Sequence, residues 1–280
     1  MRKAFFSLLL CATLMVGQNL SFASREARRV PEWMDRLTIY EMWLNAFSPE
    51  GTIRGAMPRL QYLADLGVKV AWLGPIARRS SAPNASPYNV ADYNAVDPQY
   101  GTEQDVRDFT AAAHKLGLKV MLDIVYYHAA PDSVMRNEPD FLVKNTEGKL
   151  VRGFWPQPLP DFGNPRVRKY LIDSLVRWVQ DFGVDGFRCD VAAGVPADFW
   201  REARESLNRV NPDVILLSEA DRHEDQLNGF DLNFNFHHYL TLRSVLRDGE
   251  PAIRLREHWE KLQRTFPRGA RFLHYSDNHD

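Results

Sequence analysis

From Pro31 onward the chain alternates short apolar runs with longer amphipathic stretches that end at glycine. Leu66-Gly67 precedes Val68 to Leu73, Leu116-Gly117 precedes Leu118 to Val125, and Phe182-Gly183 precedes Val184 to Cys189. Glycine suits the left-handed position that closes a helix, so each junction reads as helix, stop and strand. Thr102 with Asp105 forms a capping-box pattern, after which Val106, Phe109, Ala113 and Leu116 fall on one helical face. Pro165 opens another helix, whose apolar positions Val167, Leu171, Leu175, Trp178 and Phe182 recur every three or four residues, the spacing of a helix that covers a sheet. The strands between them are nearly continuous apolar runs, which marks a parallel sheet buried on both faces.

Seven strands are predicted: Leu37 to Trp43, Val68 to Leu73, Leu118 to Val125, Val184 to Cys189, Val214 to Ser218, Phe230 to Phe236 and Ala270 to Ser276. The fold class is therefore α/β, a TIM (β/α)8-type barrel with seven of its eight strands. Residues 129–163 break the rhythm after the third strand, and the run Phe154-Trp155-Pro156-Gln157-Pro158-Leu159-Pro160 reads as a short irregular insertion.

The start of the chain departs from this grammar. Arg2 and Lys3 precede the apolar run Ala4 to Val16 and small residues near Ala23, the pattern of a secretory signal. Residues 1–23 are assigned to that signal and 24–280 to the barrel, which predicts a secreted or periplasmic protein. No later run approaches the roughly 18 apolar residues of a membrane span, so no membrane partner is expected after signal removal. Past the signal Cys189 is the one cysteine, which excludes an intrachain disulfide. Lys and Arg total 35 against 36 Asp and Glu, a balance without the basic footprint of a nucleic-acid binder.

In a parallel βα fold, ligands meet the C-terminal ends of the strands. Four predicted strands end in polar residues: Asp123 to His128, Arg188-Cys189-Asp190, Ser218-Glu219, and Asp277-Asn278-His279-Asp280. Each alone is compatible with a helix cap or a salt bridge at the rim; together they gather carboxylates, an arginine and histidines in one place. Close carboxylates of unequal basicity are what glycoside hydrolysis uses, one attacking the anomeric carbon and one protonating the leaving oxygen. Arg188, two residues before Asp190 on a strand, points to the same face and keeps Asp190 ionised. Cys189 points the other way and reads as a packing residue. His237 and His238, after the sixth strand, read as structural.

At these residues the chain resembles the α-amylase family, glycoside hydrolase family 13, whose four ordered motifs appear as Asp123 to His128, Gly186 to Asp190, Leu217-Ser218-Glu219 and Ser276 to Asp280. The resemblance implies a retaining mechanism with Asp190 as nucleophile, Glu219 as general acid then base, and Asp280 as the carboxylate that holds the sugar hydroxyls. It also implies that Tyr88 stacks on the sugar beside the scissile bond, and that His128 and His279 hydrogen-bond that sugar. The implied partner is an α-glucan, with α-1,4 and also α-1,6 bonds as targets. The family usually carries Asn, a calcium ligand, where this chain has Tyr127, a poor ligand for a hard cation. Asp161 matches another family ligand, but one carboxylate makes no cage, so no cofactor is predicted, with calcium as the alternative that the resemblance leaves open. Ala193-Gly194 stands where many α-amylases have Lys-His, and with Pro196 to Trp200 this resembles the maltogenic amylase, cyclomaltodextrinase and neopullulanase side of the family. The motif order predicts that an eighth βα unit and a C-terminal β-sandwich are absent. Two rival readings are a glucan-binding barrel without turnover and a transglycosylase of the same fold.

Overall fold

The computed structural model describes residues 22–279. The proposed signal segment, apart from its last two residues, and Asp280 lie outside the described residues. In chain order the main elements are β1 (Ile39–Met42), α1 (Leu60–Asp65), β2 (Val70–Leu73), β3 (Ala77–Arg79), β4 (Val90–Val96), α2 (Glu103–Lys115), β5 (Lys119–Val125), α3 (Pro165–Phe182), β6 (Gly186–Asp190), α4 (Ala197–Val210), β7 (Ile215–Ser218), β8 (Leu232–Phe234), α5 (Phe236–Arg247), α6 (Ile253–Thr265) and β9 (Phe272–Leu273). Seven strands pair in the order β1-β2-β5-β6-β7-β8-β9, each parallel to its neighbours. These are the seven predicted strands, each shorter than predicted at one or both ends.

Alternation sorts the side chains into two layers. Val70, Trp72, Met121, Ile215, Leu217, Leu232 and Phe234 form one apolar cluster, joined by Ile39 of β1 and Leu273 of β9. First and last strands meet in this cluster because the sheet curls around it, as in an incomplete TIM barrel. The intervening residues Ala71, Leu73, Val120, Leu122, Phe187, Cys189 and Leu216 pack outward with Val106, Phe109, Leu171, Leu175 and Phe199 of the helices. Cys189 is fully buried in that outer layer, as its position in β6 requires.

The helix boundaries follow their predicted signals. Thr102 Oγ1 accepts the Asp105 N–H at 3.2 Å while Asp105 Oδ2 accepts the Thr102 N–H at 2.8 Å, so the capping box opens α2. Asn164 caps α3 ahead of Pro165, and Gly183 ends it in the left-handed region at φ +70°. Two elements differ from the sequence reading. The antiparallel pair β3 and β4 fills the β2–α2 connection, where Arg78 and Arg79 obscure the strand pattern. The 129–163 segment is less irregular than expected, because bridges Leu142–Pro160, Lys144–Leu150 and Arg152–Pro158 hold it as an antiparallel excursion.

One device recurs at the N-terminal end of the barrel. Asp185, just before β6, donates its N–H to the Val120 carbonyl at 2.8 Å and accepts the Val120 N–H at 2.9 Å on Oδ2. Asp231, just before β8, repeats this on Leu216 of β7, at 2.9 and 2.7 Å. In both, a carboxylate stands in for a ladder carbonyl and extends the pairing. Asp231 is fully buried and is neutralised by Arg204, also buried, at 2.5 Å and by Arg28.

At the α5–α6 corner, His238 lies edge-on to His274 at 4.2 Å between ring centroids, and His258 lies 6.1 Å from His238. His258 Nε2 is 2.9 Å from Asn235 Oδ1, the residue that caps α5. Among the described residues no group of three or more His, Cys, Asp or Glu is placed to hold a metal ion.

Asp231→Ala leaves buried Arg204 without its carboxylate and should cost about 3–5 kcal/mol, read by urea denaturation. Glu147→Ala, in an exposed pair with Lys149, should shift stability by less than about 0.5 kcal/mol. Burial, reinforced by His238, His237, Lys261 and His274, pulls the His258 imidazole down to about 4. The unfolded chain then binds a proton that folded His258 refuses between pH about 6.5 and about 4. Stability therefore falls as pH drops through that window, and His258→Gln should flatten the fall in Tm measured from pH 7.5 to 4.5.

Candidate active site

Strand register assembles the charged residues. In the β5–β6 pairing Asp123 stands beside Arg188 and Val125 beside Asp190; in β6–β7, Cys189 stands beside Ser218. Met121, Gly186 and Ile215 fill the lower inner face, and Asp123, Arg188 and Asp190 continue it toward the C-terminal rim. Gly186 is required there, since a Cβ would meet the Ile215 side chain at 2.7 Å. Glu219 follows β7, its N–H bonded to the Cys189 carbonyl at 3.2 Å.

Arg188 is the centre of this group. One terminal nitrogen donates to both oxygens of Asp123 at 2.8 and 3.0 Å and to Asp190 Oδ1 at 2.8 Å, and the other donates to Glu219 Oε1. Its guanidinium carbon lies 5.7 Å from the Trp72 ring, 5.8 Å from Tyr88 and 5.7 Å from Phe234, within cation–π range of all three. Burial disfavours its charge, but Asp123, Asp190 and Glu219 outweigh that and hold it well above the ordinary arginine value. Burial pushes the Asp123 carboxyl up; Arg188 opposes this and Asp190 adds to it. Three carboxyls share one cation, and Asp123 is the most deeply buried of them.

The structure brings six of the seven predicted site residues to this rim: Tyr88, His128, Arg188, Asp190, Glu219 and His279. Tyr88 Oη donates to Asp123 Oδ2 at 3.0 Å and lies 2.7 Å from His279 Nε2. Burial, then the Asp123 charge, raises the Tyr88 phenol far above its usual range. His128 Nε2 is 3.1 Å from the Tyr88 carbonyl, and burial lowers its pKa. The seventh, Asp280, lies outside the described residues.

Other residues here escaped the sequence reading. Asp123, in the sequence only a polar strand end, anchors Arg188 and Tyr88 together. Glu41, on β1, meets His279 Nδ1 at 2.5 Å, and Trp43 stacks on the His279 ring at 5.2 Å with 3° between planes. Val191 adopts φ +43°, a strained conformation for a β-branched residue. That turn aims its N–H at Glu219 Oε2, 2.7 Å away. Nothing in the sequence announces it, because Asn or Gly would be the expected occupant.

Tyr127 does not serve as a cation ligand. Its hydroxyl accepts the Phe154 N–H at 3.0 Å, and Asp161 Oδ1 accepts the Gly163 N–H at 2.9 Å. A phenol engaged in this way and one carboxylate closing its own turn do not fit the oxygen-rich shell of calcium.

Comparison with known proteins agrees with this geometry. The family model described as Alpha amylase, catalytic domain, matches residues 20–139. That of the glycosyl hydrolases family 31 TIM-barrel domain matches residues 87–265. Alpha-amylase MalA of Haloarcula japonica is 30% identical over 95% of this chain and 42% of its own length. The cyclomaltodextrinase of Geobacillus thermopakistaniensis is 33% identical over 60% of this chain and 32% of its own. Among solved structures, an α-amylase from Lactobacillus plantarum has 31% identity and a TM-score of 0.81, covering 88% of this chain and 64% of that one. The chain thus spans a third to two fifths of these two relatives' length. The match running nearly the full chain is to an α-amylase, so the family 31 match is read as shared barrel architecture.

Arg188→Met should destabilise the fold by about 3–5 kcal/mol near neutral pH, because it strands buried carboxyls. Without Arg188 the Asp123 carboxyl is pushed further up, so the folded state takes up a proton and its stability falls as pH rises above the unfolded pKa of about 3.9. The deficit should shrink toward pH 4.5 in urea titrations, and a pH-independent deficit would contradict the shared-cation arrangement.

Proposed function

This chain belongs to the α-amylase family of glycoside hydrolases, and we propose that it hydrolyses α-1,4-glucosidic bonds of α-glucans with retention at the anomeric carbon. The observation that carries this reading is that Asp190 and Glu219 are held on adjacent nitrogens of one buried guanidinium. Acceptors on one guanidinium are near neighbours, an arrangement compatible with the separation of about 5–5.5 Å between the paired carboxyls of retaining enzymes.

In the first step Asp190 attacks the anomeric carbon, and the bond to the leaving oxygen breaks as Glu219 gives that oxygen its proton. The product is a glycosyl ester of Asp190. Water then attacks the same carbon, Glu219 takes its proton, and the ester bond breaks to release the α-anomer and restore Asp190. Arg188 stabilises the carboxylate that leaves, and the Val191 N–H fixes Glu219. Following the family resemblance, Tyr88, His128 and His279 seat the sugar, and Asp280 holds its hydroxyls.

The relatives named cyclomaltodextrinase, intracellular maltogenic amylase and neopullulanase support short maltooligosaccharides and cyclodextrins as substrates, with α-1,6 bonds included. The apolar run near the start of the chain supports export of the protein. Proton NMR of maltotetraose digestion should show the α-anomer first, and initial β-anomer or no turnover would sink the proposal. Asp190→Asn should lower kcat at least roughly a thousandfold, about 4 kcal/mol of barrier.

A further inference from the structure

The rings of Trp43, Tyr88 and His279 lie nearly parallel beside the charged group. Trp43 is 5.2 Å from His279 with 3° between planes and 6.3 Å from Tyr88 with 17°, and Trp72 meets His279 edge-on at 6.3 Å. Gly74, just after β2, leaves room for this stack, since a Cβ there would meet the Trp43 ring at 3.0 Å. Rings fix the plane of the His279 imidazole, and oxygens meet both of its nitrogens: Glu41 Oε1 is 2.5 Å from Nδ1, and Tyr88 Oη is 2.7 Å from Nε2. Both members of the Glu41–His279 pair are largely buried.

The protons in this chain of contacts can be counted. A phenol has one to give, and burial with the Asp123 charge keeps Tyr88 protonated. That proton goes to Asp123 Oδ2 at 3.0 Å. Both Asp123 oxygens also accept from Arg188, so Asp123 acts as an acceptor throughout. The Tyr88 oxygen therefore meets Nε2 as an acceptor too, and Nε2 must carry a hydrogen. The Glu41 carboxylate accepts at the other nitrogen, which places a hydrogen on Nδ1 as well. A ring that donates from both nitrogens is an imidazolium, and the Trp43 face stacked on it favours a cation.

We propose that Glu41 is a positioning residue for the reaction, holding His279 as an imidazolium whose Nε2–H is presented beside Tyr88 to the bound sugar. The sugar contact of His279 follows from the family resemblance, whereas Glu41 lies on β1, outside all four motifs. A charged donor gives the sugar hydroxyl a bond roughly twice as strong as a neutral imidazole would. The other charged and titratable groups around the pair are Tyr88, Asp123 and Arg188 toward the carboxylates, and His238, His274 and Asp277 in the cleft that Glu41 lines. Burial lowers the pKa of both cleft imidazoles, so neither carries charge above neutral pH. The role of the pair in turnover, though not the pair itself, rests on the α-glucan reading above.

Nitrogen NMR of the histidine rings at pH 7.5 tests the ion pair directly, with the His279 signals assigned by their loss in His279→Gln. The parent should show two protonated ring nitrogens at His279, and Glu41→Gln, where a neutral amide replaces the carboxylate, should show one. One protonated nitrogen in the parent would mean that Tyr88 donates to His279, and it overturns the ion pair. The role in turnover is read from kcat/KM on maltotriose as the ratio of Glu41→Gln to parent, in which titrations common to both proteins cancel. That ratio should fall at least about tenfold between pH 5.5 and 8, because an imidazole without its counter-charge loses its proton near pH 6.5. A merely structural role would lower the ratio equally at every pH, and a pH-independent ratio overturns the positioning role. An imidazolium at His279 in a parent that does not turn over maltotriose overturns the hydrolase reading and leaves the ion pair standing.

Discussion

The interaction on which the rest depends is the one between Arg188 and its carboxylates. A guanidinium buried to 1% exposure is tolerable only because its two terminal nitrogens meet carboxylate acceptors and aromatic rings lie within cation–π range of it. The bonds run to β5, to β6 itself and to the residue after β7, so one side chain cross-links three successive strands at the rim. Burial makes the charges costly, and the cost binds fold and site together: the carboxyls tolerate burial because Arg188 is there, and Arg188 tolerates it because they are. Electrostatic preorganisation is here a by-product of satisfying a buried cation.

Much of this was legible in the sequence because alternation and apolar runs are strong constraints in parallel sheets. The seven strands, the capping box at Thr102, the helix stop at Gly183, the shared face of Arg188 and Asp190 and the opposite orientation of Cys189 all follow from period and spacing. What escaped were features whose cause lies far away in the chain. The β3–β4 pair is short and charged, so its local pattern is that of a loop. Glu41 and Trp43 have meaning only through His279, more than 230 residues later. Val191 runs against its own backbone preference, and only Glu219 explains why that conformation persists.

Tyr127 is the instructive middle case. The sequence shows that it is a poor cation ligand, but it does not show what takes the ligand's place. The answer needs three positions at once: the phenol and the two glycines, Gly153 and Gly194, that lie 26 and 67 residues further on. A large residue and two absent side chains form one unit of packing, and periodicity carries no trace of such a triple.

The paired aspartates at the opposite end of the strands carry one more consequence. Asp185 and Asp231 finish the hydrogen-bond ladder where the chain enters the barrel, whereas the charged group around Arg188 sits where the chain leaves it. Stabilising contacts that take no part in the charged group thus lie at the far ends of the same strands. Mutations that adjust heat tolerance at the entry side and mutations that reshape selectivity at the exit side fall on separate residue sets with no shared partners, so their effects should combine additively. For a protein engineer the entry end is the place where stability can be varied without touching the charged group at the exit.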